Sequence, residues 1–196
     1  EGTLRRELEW ESPSGVCIRL SSLRLVSFTQ EHLALIDWRV TLLSHPVPVT
    51  VVSSLIGRSK PQADYDDPRL GPSLAKDALI LRDRRIDGVY GSLRHVTRNS
   101  RFSLVAMMAN YLRTDCHYEC IPEESQRDVW HRYEISPQQG KEIRLTKLLS
   151  YHSNTQSGAR KLHPLARRSI DHAWAQGTER LVDEQERWLG DYWKRS

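Results

Sequence analysis

"RLVSFTQEHLALIDWRVTL", residues 24–42, decides the fold. Ala34, Ile36, Trp38 and Val40 fall on one parity, with Asp37, Arg39 and Thr41 on the other. A period of two is the mark of a half-buried β-strand. The polar break Thr29-Gln30-Glu31-His32 separates this strand from the run before it. The alternation predicts that Ala34, Ile36, Trp38 and Val40 face a core and that Asp37 faces water.

Working outward, the same period recurs on both sides. Leu4, Leu8 and Trp10 share a parity, Pro13-Ser14-Gly15 is a turn signal, and Val16, Ile18 and Leu20 alternate with Cys17, Arg19 and Ser21. These runs read as a β-hairpin. Parity slips at Ser21-Ser22 and at Leu25-Val26 predict β-bulges that bend the strand. Val47, Val49 and Val51 form a further strand, and residues 57–76, with two Gly, three Pro and three Asp, form a long loop. Loops of that length are usually functional or mobile. Strands are expected over 93–98, 102–112, 116–120, 129–135 and 143–151. The nearly continuous apolar run "FSLVAMMANYL" (102–112) suits a central strand covered on both faces. Seven or eight strands with closely spaced turns indicate a mainly β chain, an antiparallel β-sandwich.

The pattern changes at Pro164. Ala166, Ile170, Ala173, Trp174 and Leu181, then Trp188 and Tyr192, follow helical spacing. Pro164 suits a helix start, and Gly177 divides or kinks the segment. The expected organisation is a β-sandwich over 1–160 and C-terminal linker helices over 161–196. The apolar stripe on the helices is too regular for a free end and calls for a packing partner.

Composition sets outer bounds. A chain of 196 residues with 38% hydrophobic content, six Trp and seven Tyr can bury a substantial core. The net charge of +4 is small and interspersed, unlike the concentrated footprint of a nucleic-acid binder. No run of 18 apolar residues exists to form a membrane-spanning helix. Three Cys, an odd number, point to a reducing compartment, hence a cytoplasmic protein.

Catalytic motifs are absent: there is no nucleophile elbow, P-loop, H-E-x-x-H or dinucleotide fingerprint. "CHYEC" (116–120) resembles a metal site, but on a strand residues four apart lie about 13 Å apart, too far for one zinc ion or a disulfide. Cys116 and Cys120 are therefore expected to be small core residues. His172 beside Asp171 and His131 beside Trp130 are sequence neighbours that do not face each other, so each His is expected at the surface or in a capping role. Asp66-Asp67 reads as a loop turn. Neither it nor Glu123-Glu124 supplies by spacing the two carboxylates across a cleft that glycoside hydrolysis requires. Trp10, Trp38 and Trp130 are expected in the core. No catalytic, cofactor-binding or metal residue is assigned.

The ordered series Gly2, Leu4, Arg5 or Arg6, Trp10, Ser14-Gly15, Arg24-Leu25-Val26-Ser27 and Ala34-Leu35-Ile36-Asp37-Trp38 resembles the amino-terminal sandwich of glycoside hydrolase family 65. That family holds maltose, trehalose and kojibiose phosphorylases and related hydrolases. "HVTRNSRFSLVAMMANYLR" (95–113) is similar to a strand pair of the family, "IRLTKLLSYHS" (143–153) to its last sandwich strand, and "GTERLVDEQERWLGDYW" (177–193) to its helical linker.

The resemblance implies a galactose-mutarotase-like supersandwich whose first strands precede Glu1. It implies linker helices leading to an (α/α) barrel beyond Ser196 that carries the general acid and the phosphate site. The parent enzyme would cleave an α-glucosidic disaccharide with inversion, using inorganic phosphate as co-substrate or water, with no organic cofactor and no metal. The chain alone is expected to be inactive. Expected partners are the disaccharide, through the parent enzyme, the adjoining barrel and a second copy in a homodimer, with no nucleic acid and no membrane. Loop 57–76 is the expected segment reaching a neighbouring subunit or the barrel mouth. The alternative is a free-standing carbohydrate- or protein-binding sandwich, which exposed coplanar aromatics on one sheet face would favour.

Overall fold

The computed structural model describes residues 2–57, 79–154 and 160–195. Ten strands precede two helices: β1 (Thr3–Glu11), β2 (Cys17–Val26), β3 (Leu33–Leu42), β4 (Val49–Ile56), β5 (Leu79–Asp87), β6 (Tyr90–Thr97), β7 (Ser103–Arg113), β8 (His117–Glu124), β9 (Asp128–Ser136), β10 (Glu142–Asn154), α1 (Leu162–Gln176) and α2 (Thr178–Arg195). Seven strands form one antiparallel sheet in the order β1-β2-β3-β10-β7-β6-β5, and three form a second in the order β4-β9-β8. Loop 57–76, apart from Gly57, lies outside the described residues.

The stretch 24–42 resolves into the end of β2, a turn and β3, paired in unbroken antiparallel register from Ile18↔Leu42 to Val26↔Ala34. The bulges expected in β2 are not there. β1 also runs along β2 without a shift, from Thr3↔Leu25 to Glu11↔Cys17. The apparent slips have another cause: β2 carries apolar residues on both faces. Ile18 packs between the two sheets, whereas Leu23 and Leu25 pack under the helices. A register shift does occur in β5, between Leu81 and Asp83.

β3 is likewise covered on both sides, which corrects its expected facing. Leu33 and Leu35 belong to the helix-side core, and Asp37 beside them is only 3% exposed. Ala34, Ile36 and Trp38, the expected core residues, are only half-buried, while Val40 is buried. β7 meets expectation as an interior strand. Val105, Met107 and Ala109 pack under the helices, and Met108 packs between the sheets with Leu55, Leu93 and Val129.

The molecule thus has three layers: helices, the seven-stranded sheet and the three-stranded sheet. α1 buries Leu162, Ala166, Ile170 and Ala173, one stripe at helical spacing, against β3, β7 and β10. Full burial of a side chain such as Ile170 contributes about 1.5–3 kcal/mol. Pro164 sits in the first turn of α1, where its missing N–H costs nothing. Gly177 separates the helices at φ 85°, ψ 157°, a conformation accessible chiefly to glycine. Gly177→Ala is expected to lower the unfolding free energy by about 2 kcal/mol. A Cβ there would meet only the Glu179 carboxylate, 3.8 Å away, so the cost is backbone strain. An unchanged urea midpoint would refute that reading.

Candidate functional site

The helices fasten to the large sheet through polar and aromatic contacts. Asp37 on β3 and Thr146 on β10 are directly opposite each other, and Arg144 lies opposite Arg39. Asp37 accepts hydrogen bonds from Arg144 Nε at 2.8 Å, Thr146 Oγ1 at 2.9 Å and Arg39 Nε at 3.1 Å. Burial alone would push the Asp37 carboxyl up. The hydrogen bonds from Arg144, Thr146 and Arg39 and the Arg144 charge outweigh it and hold the group below its ordinary range. A carboxyl so held stays ionised at neutral pH and cannot act as a general acid. Arg144 also approaches Glu179 at the start of α2, at 3.8 Å.

Farther along the sheet, Tyr111 stacks on Trp174 of α1 with centroids 3.6 Å apart, and the Arg113 guanidinium lies 4.9 Å from the same indole. The Tyr90 hydroxyl donates to Asp171 of α1. On α2, the amide of buried Gln185 reaches the backbone of Gly2, Val26 and Phe28. These contacts fix α1 on β6 and β7, and α2 on β10, the end of β2 and the backbone before β1.

The far end of α2 leaves its aromatics in the open. Trp188 packs on Phe28 at 5.0 Å and stacks on Tyr192 at 5.7 Å, while Trp193, 70% exposed, adds an edge contact to Tyr192. The rings of Phe28, Trp188, Tyr192 and Trp193 are in contact and form an exposed apolar strip, the kind of patch that marks an interaction surface.

Between the sheets runs a satisfied polar line. Ser53 Oγ donates to Asn110 Oδ1 at 2.7 Å, and the Asn110 amide contacts His131 Nδ1 at 3.0 Å. His131 Nε2 lies 2.9 Å from the Gly88 carbonyl, which fixes the proton on Nε2. Burial, with the Lys147 charge, lowers the His131 pKa, so the ring is neutral at pH 7. Lys147 Nζ donates to the Ser54 carbonyl at 2.8 Å, and burial brings its pKa down to about 8 from 10.5. Between those values the unfolded chain binds more protons than the fold, so stability should rise with pH through that window. Lys147→Met is expected to abolish this rise. Equal pH profiles for the two proteins would refute it.

Several residues singled out in the sequence fall elsewhere than expected. Cys116 is a core residue, but Cys120 is exposed, because β8 is an edge strand of the small sheet. Trp10 is 52% exposed on β1, an edge strand of the large sheet, and Trp38 and Trp130 are half-buried. His131, His95 and His152 are buried, against the expectation of surface roles. Each has a partner: Asn110 and Gly88 for His131, the Gly57 backbone for His95, and Ser169 for His152. Glu123 accepts from Trp130 and Arg132, whereas Glu124 pairs with Arg84. Asp171 is taken by Tyr90 rather than by its neighbour His172. Asp66-Asp67 lie outside the described residues. The Asp37–Arg144 pair went unread, since its partners are 107 positions apart.

Layers and contacts together define a two-sheet sandwich capped by a helical pair. The family model for the N-terminal domain of glycosyl hydrolase family 65 matches residues 1–192, and the chain belongs to that family. It is 28% identical over 194 residues to an alpha,alpha-trehalose phosphorylase of Thermoanaerobacter brockii, covering 99% of this chain and 25% of that one. An uncharacterized glycosyl hydrolase of Mycobacterium tuberculosis is 28% identical over 193 residues, 98% of this chain and 24% of that one. A solved structure named provisionally as a kojibiose phosphorylase, from the human microbiome, shares the fold with a TM-score of 0.80 at 14% identity. That match covers 96% of this chain and 23% of the solved one. The chain thus spans about a quarter of the length of these relatives. Among the described residues no helix is long and apolar enough to cross a membrane.

Proposed function

We propose that the chain is the non-catalytic amino-terminal sandwich of an enzyme that cleaves α-glucosidic disaccharides with inversion. The attacking group is inorganic phosphate or water, and the catalytic carboxylic acid belongs to an adjoining helical barrel. The sandwich positions that barrel and helps to shape its mouth. The observation that carries this reading is the exposed strip formed by Trp188, Tyr192 and Trp193 with Phe28. Two helices are tightly anchored at the sheet, and the apolar end of the second points its rings outward. That is the form expected of a linker meeting a second domain. Family membership supports the substrate class, and the three free cysteines support a cytoplasmic enzyme.

The experiment is to assay the full-length protein on trehalose, maltose and kojibiose, with and without phosphate, and to assay residues 1–196 alone. The full-length protein should cleave at least one disaccharide, with the glucosyl unit that receives phosphate or water carrying the inverted anomeric configuration, and 1–196 should cleave none. Lack of cleavage of all three sugars by the full-length protein would overturn the reading. Turnover by the sandwich alone would overturn its non-catalytic role.

A further inference from the structure

A groove between the β5–β6 edge of the large sheet and the first turns of α1 encloses about 670 Å³ and shares only Tyr90 and Met107 with the contacts above. Its walls carry four guanidiniums: Arg85 from β5, Arg94 from β6, Arg160 just before α1 and Arg167 on α1. Two are already paired. Arg85 meets Asp83 at 2.7 Å, and Arg167 meets Asp87 at 2.7 Å while lying 4.2 Å from the Tyr90 ring centroid. Arg94 and Arg160 have no carboxylate partner among the described residues, so the groove holds a surplus of positive charge.

The start of α1 adds to that surplus. It has no side-chain cap and no acidic residue in its first turn, so its free N–H groups favour a negative group nearby. His163 in the same wall has its Nε2 buried without a hydrogen-bond partner among the described residues. Unpaired guanidiniums beside a bare helix start are the recurrent chemistry of phosphate recognition.

The rest of the lining narrows the ligand. The volume falls in the range of small-molecule sites and far exceeds a lone phosphate ion. Met107 and Pro164 give the groove apolar wall, and the Ser92 hydroxyl and Asp87 carboxylate line it as well. A carboxylate repels a bare anion but accepts hydrogen bonds from alcohols. We propose that this groove binds a phosphomonoester of a small polyol, of the sugar-phosphate class, through Arg94 and Arg160. This site is additional to the disaccharide chemistry and does not depend on it, so a protein that cleaves no disaccharide would still be expected to bind.

The test is calorimetric titration of the full-length protein with glucose 1-phosphate and glucose 6-phosphate, with inorganic phosphate and sulfate as smaller probes. Arg94→Gln/Arg160→Gln is compared with the unaltered protein and with Arg19→Gln, an exposed residue on β2. At least one sugar phosphate should bind more tightly than sulfate. The double variant should lose that site or weaken it at least about tenfold, the loss expected of charge-assisted hydrogen bonds. Arg19→Gln should bind normally, and any disaccharide turnover should be unchanged in both variants. Equal affinity and stoichiometry in the double variant, or sugar phosphates binding no more tightly than sulfate, would overturn the proposal. If the double variant does not fold, crystals of the unaltered protein soaked in either sugar phosphate decide the matter. Ligand density against Arg94 and Arg160 supports the site, and an empty groove refutes it.

Discussion

Arg144→Met is expected to lower the unfolding free energy by about 3–5 kcal/mol, the usual cost of stripping one partner from a buried ion pair. Arg144 supplies the shortest of the three hydrogen bonds to Asp37, at 2.8 Å. Without it, a carboxylate that is almost wholly buried keeps only Thr146 and a half-exposed Arg39. The double variant Asp37→Leu/Arg144→Met should recover much of the loss, because it buries no charge. Urea denaturation of the three proteins checks this. A double variant less stable than Arg144→Met by the full cost of Asp37→Leu would show the two residues acting independently and defeat the account.

The same pair predicts an acid response. The folded carboxyl lies below its unfolded value of 3.8. Its contribution is therefore complete above that pH and is lost as pH falls through the depressed folded value. The stability gap between the unaltered protein and Asp37→Asn should narrow over that window and hold steady above it.

Asp37 also shows what a linear reading could and could not see. Alternation in 33–42 announced a strand, and that expectation holds over Leu33–Leu42. The alternation could not say which face was better covered, because the covering layer comes from helices more than 120 residues later. Polarity alone reads as exposure and would put Asp37 in water, whereas its side chain is buried. Its burial is tolerated because two arginines and a threonine reach it, and such partners are set by sheet pairing rather than by local sequence. β5 escaped notice for a related reason. In "LILRDRRID" the charged run hides the period, since this edge strand faces the basic groove on one side. The hairpin at Pro13–Gly15 was legible because its turn chemistry is local: Gly15 adopts φ 78°, and Ser12 Oγ accepts from Val16 N at 3.0 Å. The helical stripe 166–181 was legible because its period is local too. Trp10 was misplaced because its strand was recognisable while its position at the sheet edge was not.

Gln185→Leu is expected to cost about 3–4 kcal/mol and to free α2 from the sheet edge. Gln185 is 1% exposed. Its Oε1 accepts from Phe28 N at 2.9 Å, and its Nε2 donates to Val26 O at 3.0 Å and Gly2 O at 3.2 Å. Leucine fills nearly the same volume, so little of the cost comes from a cavity. It comes from three backbone groups left without their partner, at about 1–3 kcal/mol for each one kept from water. Gln185→Glu should do no better at neutral pH, since a carboxylate can accept from Phe28 but faces two carbonyls it cannot satisfy. Amide exchange over residues 181–193 should accelerate in both variants, while β7 and β10 keep their protection. Under the function proposed above, the loosened helix would no longer present Trp188, Tyr192 and Trp193 in a fixed place, and disaccharide turnover by the full-length protein should fall. Unchanged exchange in α2 would mean that the helix is held by Leu181 and Val182 alone, and the polar latch would lose its role.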